Sequence, residues 1–372
     1  MSNRKQVVLV GGGHAHLYVA SQAARFQKAG AELSLVDPGM LWYSGMATGM
    51  LSGLYEPQED RVDLEALCRK HGVRFHPTRA VGLDHEAQQL QLETGQSLKY
   101  DLLSINVGSA VDTHGLDDPD SVAWTVKPIP DLLQLKDALE EGLAQGLAVR
   151  VGVVGGGPTG CEIAANIEAL CRRAGGRGAV TVLHGGQRLL AGHPEKAAHK
   201  LADVLKRRGI EVRYQTRVEK LSRRNDEVVV RASSGDEMAF NHVVVATGLV
   251  PSPTVSALGF DENGLQVDKT LAAVSHPGIF GAGDCIRFMP RELPKVGVFG
   301  VRQSPVLCDN LLAAISGRPF QAYEPQKKYL IILNLGDGTG LAIRGGWHWY
   351  GRLAMFAKNF IDKRFMGQFQ NL

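Results

Sequence analysis

Two stretches of the chain show short apolar runs that close on glycine and lead into helical periodicity. Residues 6–10 form a β-branched run ending at Gly11, and residues 14–28 place Leu17, Ala20, Ala23 and Ala24 on one helical face. Residues 32–36 form a second apolar run, closed by Asp37-Pro38-Gly39. Near-continuous apolar strands joined through a helix predict a parallel sheet covered on both faces. The same order returns as a strand over 150–154, a glycine turn over 155–160, a helix over 161–173 and a strand over 179–183. Two copies of one unit predict an α/β fold with two Rossmann-like dinucleotide-binding domains. Further strands are expected at 73–83 and 88–92, and at 100–109 and 241–248, which both end in glycine and its neighbours. Residues 117–130 read as a connection.

The glycine turns carry the candidate chemistry. In Gly11-Gly12-Gly13-His14-Ala15-His16, Gly11 permits the tight turn and Gly13 lets the backbone approach a pyrophosphate. The helix opening at His14 points its amides and positive dipole end at that anion. Asp37 ends the next strand, where a carboxylate accepts ribose hydroxyl protons. His16 replaces the third glycine. His14 and His16 stand two apart, on different helical faces, so a turn-and-cap role outweighs metal ligation and no metal is expected. The second turn has all three glycines, Gly155, Gly157 and Gly160. Glu162 in its first helical turn either bonds a nicotinamide ribose or compensates the helix dipole. The second strand of this unit ends in His184, where an acidic residue would bond the ribose 2′-OH and repel a 2′-phosphate. With Arg188 nearby to meet a phosphate, NADH and NADPH both stay open.

Composition narrows the picture only a little. The 372 residues, 44% hydrophobic and 21% charged, suit a globular chain of two to three domains. A net charge of +3 is too small to argue for nucleic acid. Five widely spaced cysteines without a C-x-x-C pair argue against a disulfide scaffold and favour a reducing, cytoplasmic setting. The N-terminus has no apolar core of a signal peptide, and no stretch is long enough to span a bilayer.

Three more segments complete a pattern: Tyr100-Asp101 through Gly108-Ser109, Ala246-Thr247-Gly248, and Ile279-Phe-Gly-Ala-Gly-Asp-Cys285. With the glycine turns, the chain resembles the two-dinucleotide-binding-domain flavoproteins of the pyridine nucleotide-disulfide oxidoreductase superfamily. Within it, the chain is similar to type II NADH dehydrogenases and ferroptosis-suppressor-like quinone reductases. Trp42-Tyr-Ser44-Gly-Met46, Lys127-Pro128, Pro294-Lys-Val-Gly-Val298 and Val301-Arg-Gln303 carry a closer resemblance to the flavoprotein module fused in some chains to selenide, water dikinase. The resemblance implies a split FAD domain, residues 1–115 with 265–345, and an inserted NAD(P)H domain, residues 116–264. It implies that Asp284, after Gly283, bonds the flavin ribityl chain, that Ser44, Ser109 and Gly248 line the cofactor sites, and that Gln303 stands beside the isoalloxazine near a docking quinone. Lys295 either holds flavin or acceptor or is a solvated loop lysine.

Disulfide reductases of that superfamily set a dithiol against the flavin, and this chain lacks the pair. The leading expectation is therefore an FAD-dependent NAD(P)H:acceptor oxidoreductase, with a quinone as acceptor. The alternatives are sulfur- or selenium-linked redox chemistry, suggested by Cys161 and the fused relatives, and a redox-sensing flavoprotein with little turnover. The tail, residues 346–372, adds one more expectation. At helical spacing Trp349, Leu353, Phe356, Phe360, Ile361, Phe365 and Phe369 form an apolar stripe, with Arg352, Asn359, Asp362 and Lys363 largely opposite. Such a stripe suits a membrane interface, where a quinone is reached, or packing on the FAD domain or a homodimer partner.

Overall fold

The computed structural model describes residues 4–113, 115–176 and 178–370. The first three and last two residues of the expected domain and tail lie outside these. Two five-stranded sheets, each entirely parallel, organise the chain. The first runs in the order Ile279–Gly281, Leu102–Ile105, Lys5–Val10, Ala31–Asp37, Arg74–Pro77. The second runs Ala123–Thr125, His242–Val245, Val149–Val154, Gly178–Leu183, Glu211–Arg213. The second sheet is built wholly from residues between two strands of the first. Ser109–Val111 and Leu249–Pro251, the two crossing segments, pair antiparallel where the chain leaves and returns.

Burial explains the apolar runs. Val7, Val8, Leu9 and Val10 are all buried, as are Val151 and Val153. Each such side chain contributes about 1.5–3 kcal/mol relative to exposure. The expected helix over 14–28 is two helices, His14–Ser21 and Ala23–Lys28, interrupted at Gln22. The Ser21 hydroxyl donates to the Tyr18 carbonyl at 2.7 Å, a local bond that competes with the helical ladder.

The C-terminal region departs most from expectation. Trp347–Gly351 is a strand, the third of an antiparallel sheet with Leu330–Asn334 and Gly340–Arg344. Its hairpin turns at Gly345-Gly346, with Gly345 at φ +58°. The helix is Arg352–Gln370, and the face it buries is Ala354, Met355, Lys358, Asp362, Met366 and Phe369. Of the expected apolar stripe, Leu353, Phe356 and Phe360 are 60–70% exposed and Ile361 is exposed too. Asp362, expected on the polar side, is buried. The helix turns a charged pair inward because polar partners wait there, as set out below.

Candidate functional site

At the first turn, Gly11 has φ +87°, and an added Cβ would stand 2.6 Å from the Asn106 carbonyl oxygen. At Gly13 a Cβ would meet the Asn106 side chain at 2.4 Å. Asn106 is a clamp that sequence reasoning missed. Its Oδ1 accepts from the Ala15 and His16 amides at 3.0 and 3.4 Å, and its Nδ2 donates to the Ala282 carbonyl at 2.6 Å. Asp37 Oδ2 accepts from the Gly12 amide at 2.8 Å and Oδ1 from the Gly39 amide at 3.0 Å. His16 is buried, with Nδ1 2.6 Å from the Gly11 carbonyl and Nε2 2.8 Å from the Ser104 hydroxyl. Burial pulls its pKa down to about 4, so the ring is neutral. His14 is likewise pulled to about 4 by burial, against the opposing pull of Asp284. Its Nε2 is buried without a protein partner among the described residues. Neither ring belongs to a group able to hold a metal ion among the described residues.

A cavity of about 1440 Å³ opens beside this turn, with Ser44, Glu162, Gly248, Gly283, Asp284, Lys295 and Gln303 in its wall. The structure thus brings seven expected residues together, although Gly11, Gly13 and Asp37 are not in that wall. Ser109 donates to Asp284 Oδ2 at 2.8 Å, and Lys127 reaches both, at 2.5 and 3.3 Å. Lys295 donates to the Asp284 carbonyl at 2.6 Å, and burial lowers its pKa. Gln303 Oε1 accepts from the Gly283 amide at 2.7 Å. Lys127 was legible only as part of a motif, and its contact with Asp284 is a product of the fold.

Glu162 stands in this larger cavity, accepting from the Asn334 amide at 2.6 Å, so its first role is to tie the C-terminal sheet to the second glycine helix. Burial pushes its carboxyl up to about 7, with the Lys358 ammonium opposing. Lys358 donates to the Gly45 carbonyl at 2.6 Å and to Asp362 at 2.8 Å, and the Tyr43 hydroxyl donates to Asp362 at 2.9 Å. Beside them the Asp60 carboxyl is buried, and neither oxygen has a hydrogen-bond partner among the described residues. Burial, and then the Asp362 carboxylate, push it up to about 8. The only advance signal of this cluster was the i, i+4 spacing of Lys358 and Asp362.

The second turn is barer. A Cβ at Gly160 would lie 2.0 Å from the Gly155 carbonyl, so the helix packs directly on the strand end. At Gly157 an added Cβ would meet nothing within 4 Å. His184 Nδ1 accepts from the Gly156 amide at 3.2 Å, and Nε2 lies 2.9 Å from the Arg188 carbonyl. These turns line a cavity of about 650 Å³. Val126, Pro158, Thr159, His193, Gly248 and Leu249 line both cavities, so the two share a wall.

All five cysteines are buried with free thiols. Burial pushes Cys285 up to about 11 and Cys161 further still, which holds both as inert thiols at neutral pH.

A family model for pyridine nucleotide-disulphide oxidoreductases matches residues 5–304. Ferroptosis suppressor protein 1 of Homo sapiens is 23% identical over 353 residues, spanning 91% of this chain and 89% of that protein. Demethylphylloquinone reductase NdbB of Synechocystis is 24% identical over 362 residues, spanning 92% and 89%. In fold, the chain is similar to the sulfide:quinone oxidoreductase of Aquifex aeolicus, with a TM-score of 0.83 at 18% identity over 99% of this chain and 92% of that one. It is equally similar to NDH2 of Plasmodium falciparum in complex with NADH, with a TM-score of 0.83 at 14% identity over 99% and 97%.

Proposed function

The chain belongs to the pyridine nucleotide-disulphide oxidoreductase family, and from that membership we propose that it is an FAD-dependent NAD(P)H:quinone oxidoreductase. The observation that carries the reading is the shared wall: a pyridine ring entering past Gly157 and Thr159 reaches the cavity that Asp284 and Gln303 line. The names of the relatives add weight, since one is a demethylphylloquinone reductase.

The first turn suits a flavin dinucleotide. The orphaned Nε2 of His14 is a feature that a resident polar ligand satisfies, and Gly11 and Gly13 let the turn that holds it close over Asn106. Gly11, Gly13 and the helix start at His14 would take the pyrophosphate, Asp37 the adenosine ribose, and Ser109, Gly283 and Asp284 the ribityl chain. Lys295 and Gln303 would flank the isoalloxazine. On this reading residues 1–115 with 265–345 form the FAD domain and residues 116–264 the NAD(P)H domain. FAD, when bound, supplies the two-electron carrier between nicotinamide and acceptor. The chain supplies orientation and protons. Reduction of a quinone by NAD(P)H takes up one proton besides the hydride, and Glu162, whose carboxyl sits near neutrality on the cavity wall, can hold it. With its thiols buried and protonated, the chain is poorly fitted for the sulfur-linked alternative.

The exposed face of the C-terminal helix is where the chain would meet a membrane. Leu353, Phe356 and Phe360 project outward, while Ile361, Asp362 and Phe365 of the same helix line the larger cavity. An apolar acceptor held in lipid would so arrive beside the site. No described helix is long and apolar enough to cross a bilayer.

Anaerobic mixing tests the reading. NADH or NADPH should bleach the flavin, and a water-soluble quinone should restore it; a flavin that neither nicotinamide reduces contradicts it. Flotation with anionic vesicles tests the attachment: the parent should float, and F356S with F360S should stay behind. A parent that instead remains in solution as a dimer assigns the face to a second copy.

A further inference from the structure

The end of the second strand, Gly178–Leu183, departs from a dinucleotide site built for a bare ribose. Its terminal position holds His184, and both ring nitrogens are already engaged, one by the Gly156 amide and one at the Arg188 carbonyl. Arg188 is spent on its own loop. Its guanidinium donates to the carbonyls of Leu190, Ala191 and His193 at 2.7–3.3 Å, and it is not a wall residue of the cavity. Arg188 is therefore held by its own loop, outside the cavity wall.

Another cation stands in the wall. Arg217 lines the smaller cavity alongside His184, Gly185 and Gly186. Gly185 packs beside it: a Cβ added at that position would lie in van der Waals contact with the Arg217 Cβ, at 3.7 Å. The backbone of residues 213–216 is pinned across the strand end, with the His184 amide donating to the Arg213 carbonyl and the Thr216 amide to the His184 carbonyl, both at 2.9 Å. Arg217 is exposed, and among the described residues its guanidinium has no hydrogen-bond or ion-pair partner. The described wall of this cavity contains Arg217, His184 and His193 and no Asp or Glu. A pocket with an unengaged fork-shaped cation and no carboxylate matches a phosphate monoester, which carries nearly two negative charges at neutral pH and accepts bidentate bonds from guanidinium.

We propose that Arg217 binds the 2′-phosphate of the adenosine ribose, so that the electron donor is NADPH rather than NADH. The proposal rests on the reading of the second turn as the nicotinamide site. Arg217 is then a specificity-determining residue. It stands at the adenosine end, away from Asp284 and Gln303, so its removal should leave flavin binding and NADH use unchanged.

Calorimetric titration of the flavin-loaded full chain with 2′,5′-ADP and with 5′-AMP tests this without turnover. The expected result is at least about tenfold tighter binding of 2′,5′-ADP, a preference that R217Q removes. In steady-state assays R217Q should raise KM for NADPH by about tenfold to a hundredfold and leave KM for NADH within about twofold. A second variant, H184D, should weaken NADPH by placing a carboxylate beside the phosphate. Equal binding of the two mononucleotides, or a preference that survives R217Q, overturns the assignment while NADH still bleaches the flavin. If neither mononucleotide binds and neither nicotinamide bleaches the flavin, the nicotinamide site itself is wrong and the assignment falls with it.

Discussion

The two glycine turns are built on one plan and finished differently. Both follow the central strand of a parallel sheet, and the residues after the neighbouring strands correspond: the Asn106 amide donates to Val10 and the Ala246 amide to Val154, each at 2.8 Å. Asp37 and His184 correspond too, each accepting from the second glycine of its turn. At the first turn, Asn106 fills the space under the helix start and takes its amides, and His16 wedges between Gly11 and Ser104. At the second, alanine replaces asparagine, glycine replaces histidine, and Gly157 faces open space. A turn locked by its own side chains suits a ligand that stays. A turn whose free face is bare suits one that comes and goes. The contrast separates a resident flavin from an exchanging nicotinamide, a distinction invisible in the shared G-x-G pattern.

The sharpest way to break this contrast is a matched pair of substitutions. Gly13 and Gly157 have similar backbone angles, φ −63° and −76°, so alanine is free of backbone strain at both. At Gly13 the new Cβ meets Asn106 at 2.4 Å, at Gly157 nothing. Gly13→Ala should cost about 1–3 kcal/mol in denaturant unfolding and yield colourless protein. Gly157→Ala should stay yellow, unfold within about 0.5 kcal/mol of the parent, and raise KM for the nicotinamide. Equal flavin loss in both would erase the distinction.

A pH signature comes next in size. The folded-state pKa of Asp60 lies near 8, above its ordinary 3.8, so the fold favours the protonated acid. The stability it contributes is full below its ordinary pKa and is lost as pH rises through about 8. Asp60→Asn, which mimics the protonated form, should flatten the alkaline fall in Tm by an amount worth roughly a few kcal/mol. A parallel fall in both proteins between pH 5 and 9 would place the titration elsewhere. The smallest expected effect sharpens the contrast at the clamp itself. Asn106→Ala, which imports the residue of the second turn, should cost about 1 kcal/mol by removing the acceptor of the Ala15 amide. Its flavin should dissociate faster, measured by fluorescence on dilution.

What the sequence made legible was local. Glycine turns, apolar strands and the Gly-Asp motif are set by residues within a few positions, and the central strands of both sheets follow from them; Ser44, Lys295 and Gln303 came only through the resemblance, and the edge strand Ala123–Thr125 lies in a stretch read as a connection. The C-terminal helix was legible, but the face it buries was not, because its stripe was judged by hydrophobicity alone. Its inward face is chosen by Tyr43 and Gly45, some 300 positions away in the chain, which offer bonds to Asp362 and Lys358. Buried charge of this kind is tolerated only where partners exist, and partners this distant leave no periodic trace. Asn106 escaped for the same reason, since its side chain acts across 90 positions. The strand at Trp347–Gly351 had a local signal, the Gly345-Gly346 turn, outweighed by the aromatic spacing that follows.

Dialysis of the purified chain, loaded with FAD and a stoichiometric oxidised nicotinamide, tests the central claim most directly. The account predicts that about one FAD per chain stays bound through exhaustive exchange while the nicotinamide leaves completely. Loss of the flavin with retention of the nicotinamide, or departure of both at the same rate, would contradict it.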